Sequence, residues 1–404
     1  MRSWPGLIIL TAVLAMGCSS TQNQAMTFGK DLKFLQRHTD VIVLCDLSSG
    51  ARIAVVPAYQ GRVMTSTHEG EKGMSFGWIN KDLIAGGKIL PHINAYGGED
   101  RFWMGPEGGQ FAIFFPRHTP FDFEHWQTPS VIDTEPFELI CRTGSSASFR
   151  RQTKLTNWSG TQFDIKIDRT VRVLSRRDAA GKLGIEIPHS LKIVAFESEN
   201  TLTNKDTEPW SKQTGLLSIW ILSMFNSSPE TTVVIPFNPG PEDRLGPKVN
   251  DAYFGKVPPQ RLIVGDDVLF FKADARYRSK IGLSPKRAKP ILGSYDAANK
   301  LLTLIQYTKP EGATDYINSM WQLQEAPFDG DAVNSYNDGP LEPGKKQLGP
   351  FYELESSSPA VALKPNESIR HIHRVFHLQG PENELGKIAE AVLQVTLQQV
   401  KNTL

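Results

Sequence analysis

Near its C-terminus the chain reads Phe351-Tyr352-Glu353-Leu354-Glu355 and then Ile369-Arg370-His371-Ile372-His373-Arg374. Polar and apolar residues alternate in both stretches, which is typical of β-strands, because successive side chains of a strand point to opposite faces. The two glutamates therefore share one face of their strand, and the two histidines share one face of theirs. A sheet face that carries carboxylates and imidazoles indicates a site for a polyhydroxylated ligand or a metal before it indicates ordinary packing.

Apolar runs of strand length recur along the rest of the chain, separated by turn residues. They predict an all-β fold, a large antiparallel β-sandwich. One strong helical pattern, Glu384–Val400, predicts a C-terminal helix at the edge of the sheet. The predicted strands are Val41–Cys45, Ala51–Tyr59, Arg62–Thr67, Phe111–Phe115, Phe137–Arg142, Phe163–Leu174, His189–Thr203, Gly215–Met224, Thr231–Pro236, Val268–Ala273, Leu301–Tyr307 and Glu367–His377.

The N-terminus has the pattern of an export signal. Arg2 precedes a short apolar core that ends at Gly17-Cys18, which resembles a bacterial lipoprotein signal whose Cys18 becomes lipidated. The alternative is an ordinary secretory signal cleaved nearby. We expect residues 1–18 to be the signal peptide, 19–29 a flexible tether and 30–404 a single domain. The protein is then exported to the bacterial cell envelope, either lipid-anchored to the outer membrane or periplasmic.

Composition narrows the possible partners. The 404 residues carry a formal net charge of +1, which gives no electrostatic reason to expect a nucleic-acid partner. Beyond the signal, Cys45 and Cys141 could pair in an oxidising compartment or stay as free thiols, and the sequence leaves both possibilities open. Neither has a zinc-ligand spacing, and we expect no cofactor. The sequence does not indicate an oligomeric state.

A second group of polar and aromatic residues lies between His92 and Trp103. If this segment is extended, Glu99, Arg101 and Trp103 share a face. An indole beside charged groups is typical of a saccharide site, because the ring covers the apolar face of a sugar while the charges bind its hydroxyls. We therefore predict ligand-binding roles for this group, which comprises His92, Asn94, Glu99, Arg101 and Trp103.

A third group, Tyr336-Asn337-Asp338, precedes Gly339-Pro340 and has the composition of a turn. We include all three residues and Glu353 among the predicted ligand-binding residues. Trp126, Trp210 and Trp321 are either sugar platforms or core residues, and burial in the sandwich is the favoured reading of each.

The order of elements resembles the galactose-mutarotase-like supersandwich of aldose epimerases. Three segments carry the resemblance, and Asn94–Gln110 with Ser335–Glu355 also resembles uncharacterised bacterial lipoproteins of that superfamily. The three segments are Ala51–Val63, Glu199–Lys205 and Glu355–Ser368.

The resemblance implies a carbohydrate ligand and gives Glu355 the position of the general base that aldose epimerases use. The histidine that acts as their acid is missing, because its place holds Ser218–Leu222. Ring opening needs an acid as well as a base, so an enzyme would require His92, His371 or His373 as the acid, with Glu355, His371 and His373 as candidate catalytic residues. We expect an exported carbohydrate-binding protein acting in glycan uptake or processing. The alternatives are a sugar epimerase or other glycan-processing enzyme and a structural envelope lipoprotein with a degenerate pocket.

Overall fold

The computed structural model describes residues 26–341 and 344–404, and the predicted signal peptide with Cys18 lies outside the described residues. The described chain consists mainly of β-strands. In chain order these are β1 (Ile42–Cys45), β2 (Arg52–Val56), β3 (Arg62–Thr67), β4 (Arg101–Gly105), β5 (Glu138–Arg142), β6 (Ser146–Thr156), β7 (Gln162–Leu174), β8 (Lys192–Asn204), β9 (Ser218–Asn226), β10 (Thr231–Pro236), β11 (Leu262–Val264), β12 (Val268–Lys272), β13 (Ser279–Leu283), β14 (Ile291–Asp296), β15 (Leu301–Tyr307), β16 (Val333–Asn337), β17 (Phe351–Ser357) and β18 (Ser368–Gln379).

The helices of the described chain are short and lie mostly at its two ends and in connections. They are α1 (Phe28–Gln36), α2 (Lys81–Gly86), α3 (Ser130–Asp133), α4 (Arg176–Leu183), α5 (Glu242–Leu245), α6 (Glu382–Leu393) and α7 (Leu397–Thr403). In the part of the chain that the structure covers, no helix has both the length and the apolar character that crossing a bilayer requires.

The strands form three antiparallel sheets. The largest has ten strands in the order β11-β12-β10-β14-β15-β18-β8-β7-β6-β5, the second has five in the order β13-β16-β17-β9-β4, and the third is the meander β1-β2-β3. The predicted class, a large antiparallel β-sandwich with a C-terminal helix, is confirmed.

The two larger sheets pack face to face, and alternation along each strand decides which side chains lie between them. Phe102, Ile221 and Leu354 come from the five-stranded sheet, and Phe196 and Val375 come from the ten-stranded sheet. All five belong to one buried hydrophobic cluster. The inner face of each sheet is therefore the core, and the outer face of the five-stranded sheet remains for another use.

The outer face of the ten-stranded sheet is covered by the C-terminal helices. Phe376 and Leu378 of β18 pack there with Leu385, Ile388 and other apolar side chains of α6. The single predicted helix Glu384–Val400 is two helices, because Gln394 adopts a left-handed conformation (φ 63°) that ends α6. The helices cover the face of the sheet rather than its edge, so that detail of the prediction was wrong.

Two further differences have local causes. Phe111–Phe115 is not a strand, although four of its residues are buried: Ala112, Ile113, Phe114 and Phe115. Phe28 and Gly29, assigned to the tether, begin α1, because the Phe28 side chain is fully buried against the three-stranded sheet.

Candidate functional site

A cavity of about 820 Å³ lies on the outer face of the five-stranded sheet. Its floor is formed by alternate residues of the strands, such as Arg101 and Trp103 of β4 and Trp220 and Leu222 of β9. The residues between them face the core. The cavity is within the size range of small-molecule sites, roughly 300–1,000 Å³.

The register of the strands brings distant parts of the chain into rows across this floor. Arg101 lies opposite Leu222, which lies opposite Glu355, which in turn lies opposite Asn334. Directly opposed residues of antiparallel strands share a face. Arg101 and Glu355 therefore project to the same side of the sheet, although 254 positions separate them in the sequence.

A neighbouring row contains Glu353, Tyr336 and Lys280, contributed by β17, β16 and β13. Glu353 and Glu355 share the cavity side of β17, as the alternation of their strand predicts. The cavity floor therefore combines two carboxyl groups with one lysine.

Glu355 is fully buried at the base of this floor. Its Oε2 accepts hydrogen bonds from Trp220 Nε1 at 2.9 Å and from Lys280 Nζ at 3.0 Å. Its Oε1 has no partner among the residues that the structure describes. A buried carboxylate oxygen without a donor is costly. The donor for Oε1 can come from the neighbouring Glu353 carboxyl group when it is protonated, or from a ligand group that takes its place.

Glu353 lines the cavity beside Glu355 and is 8% exposed. Burial, and then the neighbouring Glu355 carboxylate, raise the pKa of Glu353 well above its ordinary value. The pKa of Lys280 is also raised: burial alone would lower it, but the carboxylates of Glu355, Glu107 and Glu353 outweigh burial. The floor thus places two neighbouring carboxyl groups and a lysine amine in one cluster, and the raised pKa of Glu353 favours its neutral form.

Indole rings form one wall of the cavity. Trp126 and Trp321 stack with centroids 5.6 Å apart, and Trp321 Nε1 donates to Glu107 Oε1 at 3.2 Å. Burial raises the pKa of Glu107. The sequence favoured burial for both tryptophans, and Trp126 is indeed only 5% exposed, yet both line the cavity. Trp210 is core and packs edge-on against Phe163 at 5.4 Å.

Arg101 is held rigidly in the floor. Its Nη2 donates to Asp133 Oδ1 at 2.9 Å, and its guanidinium lies 4.2 Å from the centroid of Trp103. Arg101 and Trp103 are both buried, and both line the cavity; their predicted role in ligand binding stays a prediction.

Tyr336 and Asp338 line the far side of the cavity. The Tyr336 hydroxyl donates to Asp338 Oδ1 at 2.7 Å, Gly349 N donates to Asp338 Oδ2 at 2.7 Å, and Arg278 Nε donates to the Tyr336 hydroxyl at 3.3 Å. Burial raises the pKa of Asp338. The Asn337 side chain points away from the cavity. Its Oδ1 accepts a hydrogen bond from Ala275 N and its Nδ2 donates one to Tyr277 O, so it stabilises a turn and does not line the cavity.

Three residues of the His92–Trp103 group lie elsewhere. Glu99 faces the opposite side, where its carboxylate contacts Ser66 and accepts from His377 Nε2 at 2.9 Å. Asn94 is buried, and both its backbone N–H and its side-chain amide donate hydrogen bonds to Asp133 Oδ2. His92 Nδ1 contacts Trp126 O at 2.6 Å, so it supports a cavity wall without lining the cavity. The predicted shared face of Glu99, Arg101 and Trp103 was wrong, because β4 begins only at Arg101.

His371 and His373 share a face of β18, as predicted, but this face is the one between the sheets. Ser356 Oγ lies 2.8 Å from His371 Nε2 and 2.8 Å from His373 Nδ1, while Ser223 Oγ lies 2.9 Å from His373 Nε2. Burial lowers the pKa of His371 to about 3 and that of His373 to about 4. The five-stranded sheet separates both imidazoles from the cavity, so the predicted convergence of histidines and glutamates in one site was wrong.

Sequence reasoning missed Lys280, Glu107, Trp220 and Asp331, all of which line the cavity. The alternation of Ser279–Leu283 was a usable signal for Lys280, whereas Glu107 and Asp331 lie in irregular segments.

Within residues 26–341 and 344–404, no group of three or more histidine, cysteine, aspartate or glutamate side chains is arranged to hold a metal ion. Cys45 and Cys141 are both free thiols.

Comparison with known families gives one match. The model of a family of unknown function, DUF6786, matches residues 26–404. A comparison with curated proteins found no significant match.

Several solved structures are similar to the chain. The Slr1438 protein from Synechocystis sp. PCC 6803 is 12% identical, with a TM-score of 0.49 over 85% of this chain and 96% of that one. A galactose mutarotase-like protein from Lactobacillus casei is 10% identical, with a TM-score of 0.48 over 84% of this chain and 100% of that one. A galactose mutarotase related enzyme from Lactobacillus acidophilus is 10% identical, with a TM-score of 0.47 over 84% and 97%.

Proposed function

We propose that this chain, which belongs to the DUF6786 family, is an exported carbohydrate-binding protein whose ligand lies in the cavity on the five-stranded sheet. The observation that carries the proposal is the combination, around one cavity, of a wall of stacked indoles with a buried carboxylate oxygen at the floor that accepts no hydrogen bond from an N–H or hydroxyl group of the described residues. Indole faces cover the C–H faces of sugar rings, while fixed acceptors and donors select their hydroxyls. The role of Cys18 as a lipid anchor belongs to the same proposal.

The site differs from the one predicted from the sequence. The ligand surface is the outer face of the five-stranded sheet and not a face of the ten-stranded sheet, since Glu353 and Glu355 lie on β17 of the smaller sheet. Trp103, Tyr336, Asp338 and Arg101 remain in the ligand-binding set.

The test is calorimetry with a panel of mono- and oligosaccharides on wild type, Glu355→Gln and the control Glu390→Gln, which alters an exposed glutamate of α6. We expect wild type and the control to bind the same sugars, and Glu355→Gln to bind them at least about tenfold more weakly, the equivalent of ~1.4 kcal/mol. Absence of binding to the whole panel, or unchanged binding by Glu355→Gln, would refute the proposal.

A second candidate function is catalysis of anomer exchange, favoured by the pairing of Glu353 with Glu355. None of the described residues that line the cavity is a histidine, so His92, His371 and His373 are poorly placed as the acid. Glu353 takes that role: its proton passes to the ring oxygen as the C1–O5 bond breaks, while Glu355 accepts the proton of the anomeric hydroxyl and a C1 carbonyl forms. Reclosure on the other face returns both protons.

Exchange spectroscopy by NMR on reducing sugars tests this second function. We expect Glu353→Gln and Glu355→Gln each to lower the exchange rate about 10²–10⁴-fold, the range of general acid–base catalysis. A wild-type protein that binds sugars without accelerating exchange would leave binding as the function and exclude this reaction.

A further inference from the structure

Carboxyl groups outnumber cations at the floor of the cavity. Glu107, Glu353 and Asp331 line it, and Glu355 lies at its base. Lys280 is the cation that interacts with all four of them among the described residues. Lys280 forms its ion pair with Glu355, and Glu107, Glu353 and Asp331 make no ion pair among the described residues, while burial raises the pKa of each of these three carboxyl groups.

The other cations near the cavity have separate partners or positions. Arg101 is paired with Asp133 at 2.9 Å. Arg278 stacks on Phe254 at 3.8 Å and hydrogen-bonds Tyr336 on the far side. Lys346 is exposed at the mouth. Carboxyl groups therefore outnumber cationic side chains only in the part of the floor around Lys280, among the described residues.

Two observations independent of the acid count indicate that a cationic donor fits there. Glu355 Oε1 is buried without a partner within the described chain, although Oε2 of the same carboxylate has two donors. The indoles of the floor already hold cations of the chain itself: Lys280 Nζ lies 4.7 Å from the centroid of Trp220, and the Arg101 guanidinium lies 4.2 Å from that of Trp103.

From this arrangement we infer that the preferred ligand is an amino sugar whose protonated amine contacts the Glu353–Glu355 floor. The inference rests on the proposed carbohydrate-binding function and specifies its ligand class. The amine donates to Glu355 Oε1 and offsets the excess acid, while the indoles of Trp126 and Trp321 cover the sugar ring. A neutral sugar satisfies the same acceptor but leaves the charge imbalance, and an N-acetylated sugar has no charge at this position.

Binding of an ammonium also displaces a proton. The groups that act on Glu353 are the Glu355 carboxylate, Lys280 and Arg101, and burial with the Glu355 charge raises its pKa well above normal. A new positive charge beside Glu353 favours the ionised form, so the amino sugar and the proton compete. We therefore expect binding of an amino sugar to be accompanied by release of protons from the protein.

The experiment compares ligands that differ only at one substituent. Chitosan disaccharide, N,N′-diacetylchitobiose and cellobiose share a β-1,4-linked skeleton, and galactosamine with galactose forms a second pair. Calorimetry at pH 6, in two buffers of different ionisation enthalpy, gives the affinity and the number of protons released. The proteins are wild type, Glu353→Gln, Glu107→Gln and the exposed control Glu390→Gln, each checked for folding by circular dichroism.

We expect wild type and Glu390→Gln to bind the amino form of at least one series about tenfold or more tightly than its neutral counterpart, with proton release. Glu353→Gln should lose the proton release and most of the preference, and Glu107→Gln should lose part of the preference. If Glu353→Gln does not fold, the inference is tested by the preference of Glu107→Gln for amino sugars and by the number of protons that wild type releases on binding. Equal binding of amino and neutral sugars would overturn the inference while leaving the proposed function intact; no binding by any sugar would overturn both.

Discussion

Arg101 and Glu355 lie opposite the same residue, Leu222, on the two sides of β9. This shared neighbour fixes both side chains on the cavity face of the five-stranded sheet. The residue after Glu355, Ser356, points through the other face and contacts His371 at 2.8 Å. One strand thus separates two polar systems, a ligand cavity outside and a histidine network inside.

The buried pair of Lys280 and Glu355 gives a stability prediction. Lys280→Met leaves the Glu355 carboxylate buried without its ammonium partner, which typically costs about 3–5 kcal/mol of unfolding free energy. The double variant Lys280→Met/Glu355→Gln should recover much of this loss. Urea denaturation measures both, and Lys154→Met, which removes an exposed lysine 3.8 Å from Asp164, serves as the control with a change below about 1 kcal/mol. A single variant as stable as wild type would contradict the buried pair.

The histidine network predicts loss of stability in acid. Burial lowers the pKa of His371 to about 3 and that of His373 to about 4, whereas an unfolded histidine titrates near ~6.5. Between these values the unfolded chain binds more protons than the folded one, so stability falls as the pH drops below ~6.5. Each histidine contributes a slope of about 1.4 kcal/mol per pH unit down to its folded pKa.

Chemical denaturation at pH values from 7 to 4.5 tests this slope. His371→Asn should show a shallower decline than wild type, because one titrating group is removed. An identical pH dependence in the two proteins would argue that His371 is not buried in its neutral form.

The stacked indoles predict that the affinity for a sugar depends on an aromatic side chain at position 321. Trp321→Ala should weaken sugar binding at least about tenfold, equivalent to ~1.4 kcal/mol, because it removes one of the two indoles that form the cavity wall. Trp321→Phe keeps an aromatic face and loses the hydrogen bond to Glu107, so it should bind with intermediate affinity. Tryptophan fluorescence titration with the tightest-binding sugar measures both, and equal affinity of the alanine variant and wild type would exclude Trp321 as a platform.

The close packing around Gly282 predicts that the cavity floor has no space for an added side chain at this position. A Cβ at this position would come within 2.1 Å of Asp331 Oδ2 and 2.4 Å of Asn334 Nδ2. Gly282→Ala should displace these two cavity-lining side chains and weaken sugar binding. Gly386→Ala in α6 meets nothing within 4 Å, so it should leave binding unchanged and stabilise the fold by roughly 0.5–1 kcal/mol. Calorimetry and thermal unfolding distinguish the two variants, and unaffected binding in Gly282→Ala would contradict the proposed floor.

Alternation along single strands was the part of the structure that could be read from the sequence. It placed Glu353 beside Glu355 and His371 beside His373 correctly, since period-two patterns need no tertiary information. It could not say which face of each strand turned inwards. That choice depends on which sheet each strand joins, and β17 and β18 join different sheets.

Residues outside regular alternation were the hardest to foresee. Glu107 and Asp331 reach the cavity from irregular segments, whose direction no local pattern determines. Glu99 was misplaced because the chain bends just before β4, where Gly97 and Gly98 have positive φ angles of 92° and 112°. A Cβ on either glycine would collide with the backbone of β3 or of the segment at Trp78.

The most direct test is a crystal structure of the protein with the sugar that binds it most tightly. The account predicts a sugar ring over the outer face of the five-stranded sheet, against Trp126 or Trp321, with a hydroxyl or amine within hydrogen-bond distance of Glu355 Oε1. A sugar bound elsewhere on the surface, with this cavity filled only by solvent, would contradict it.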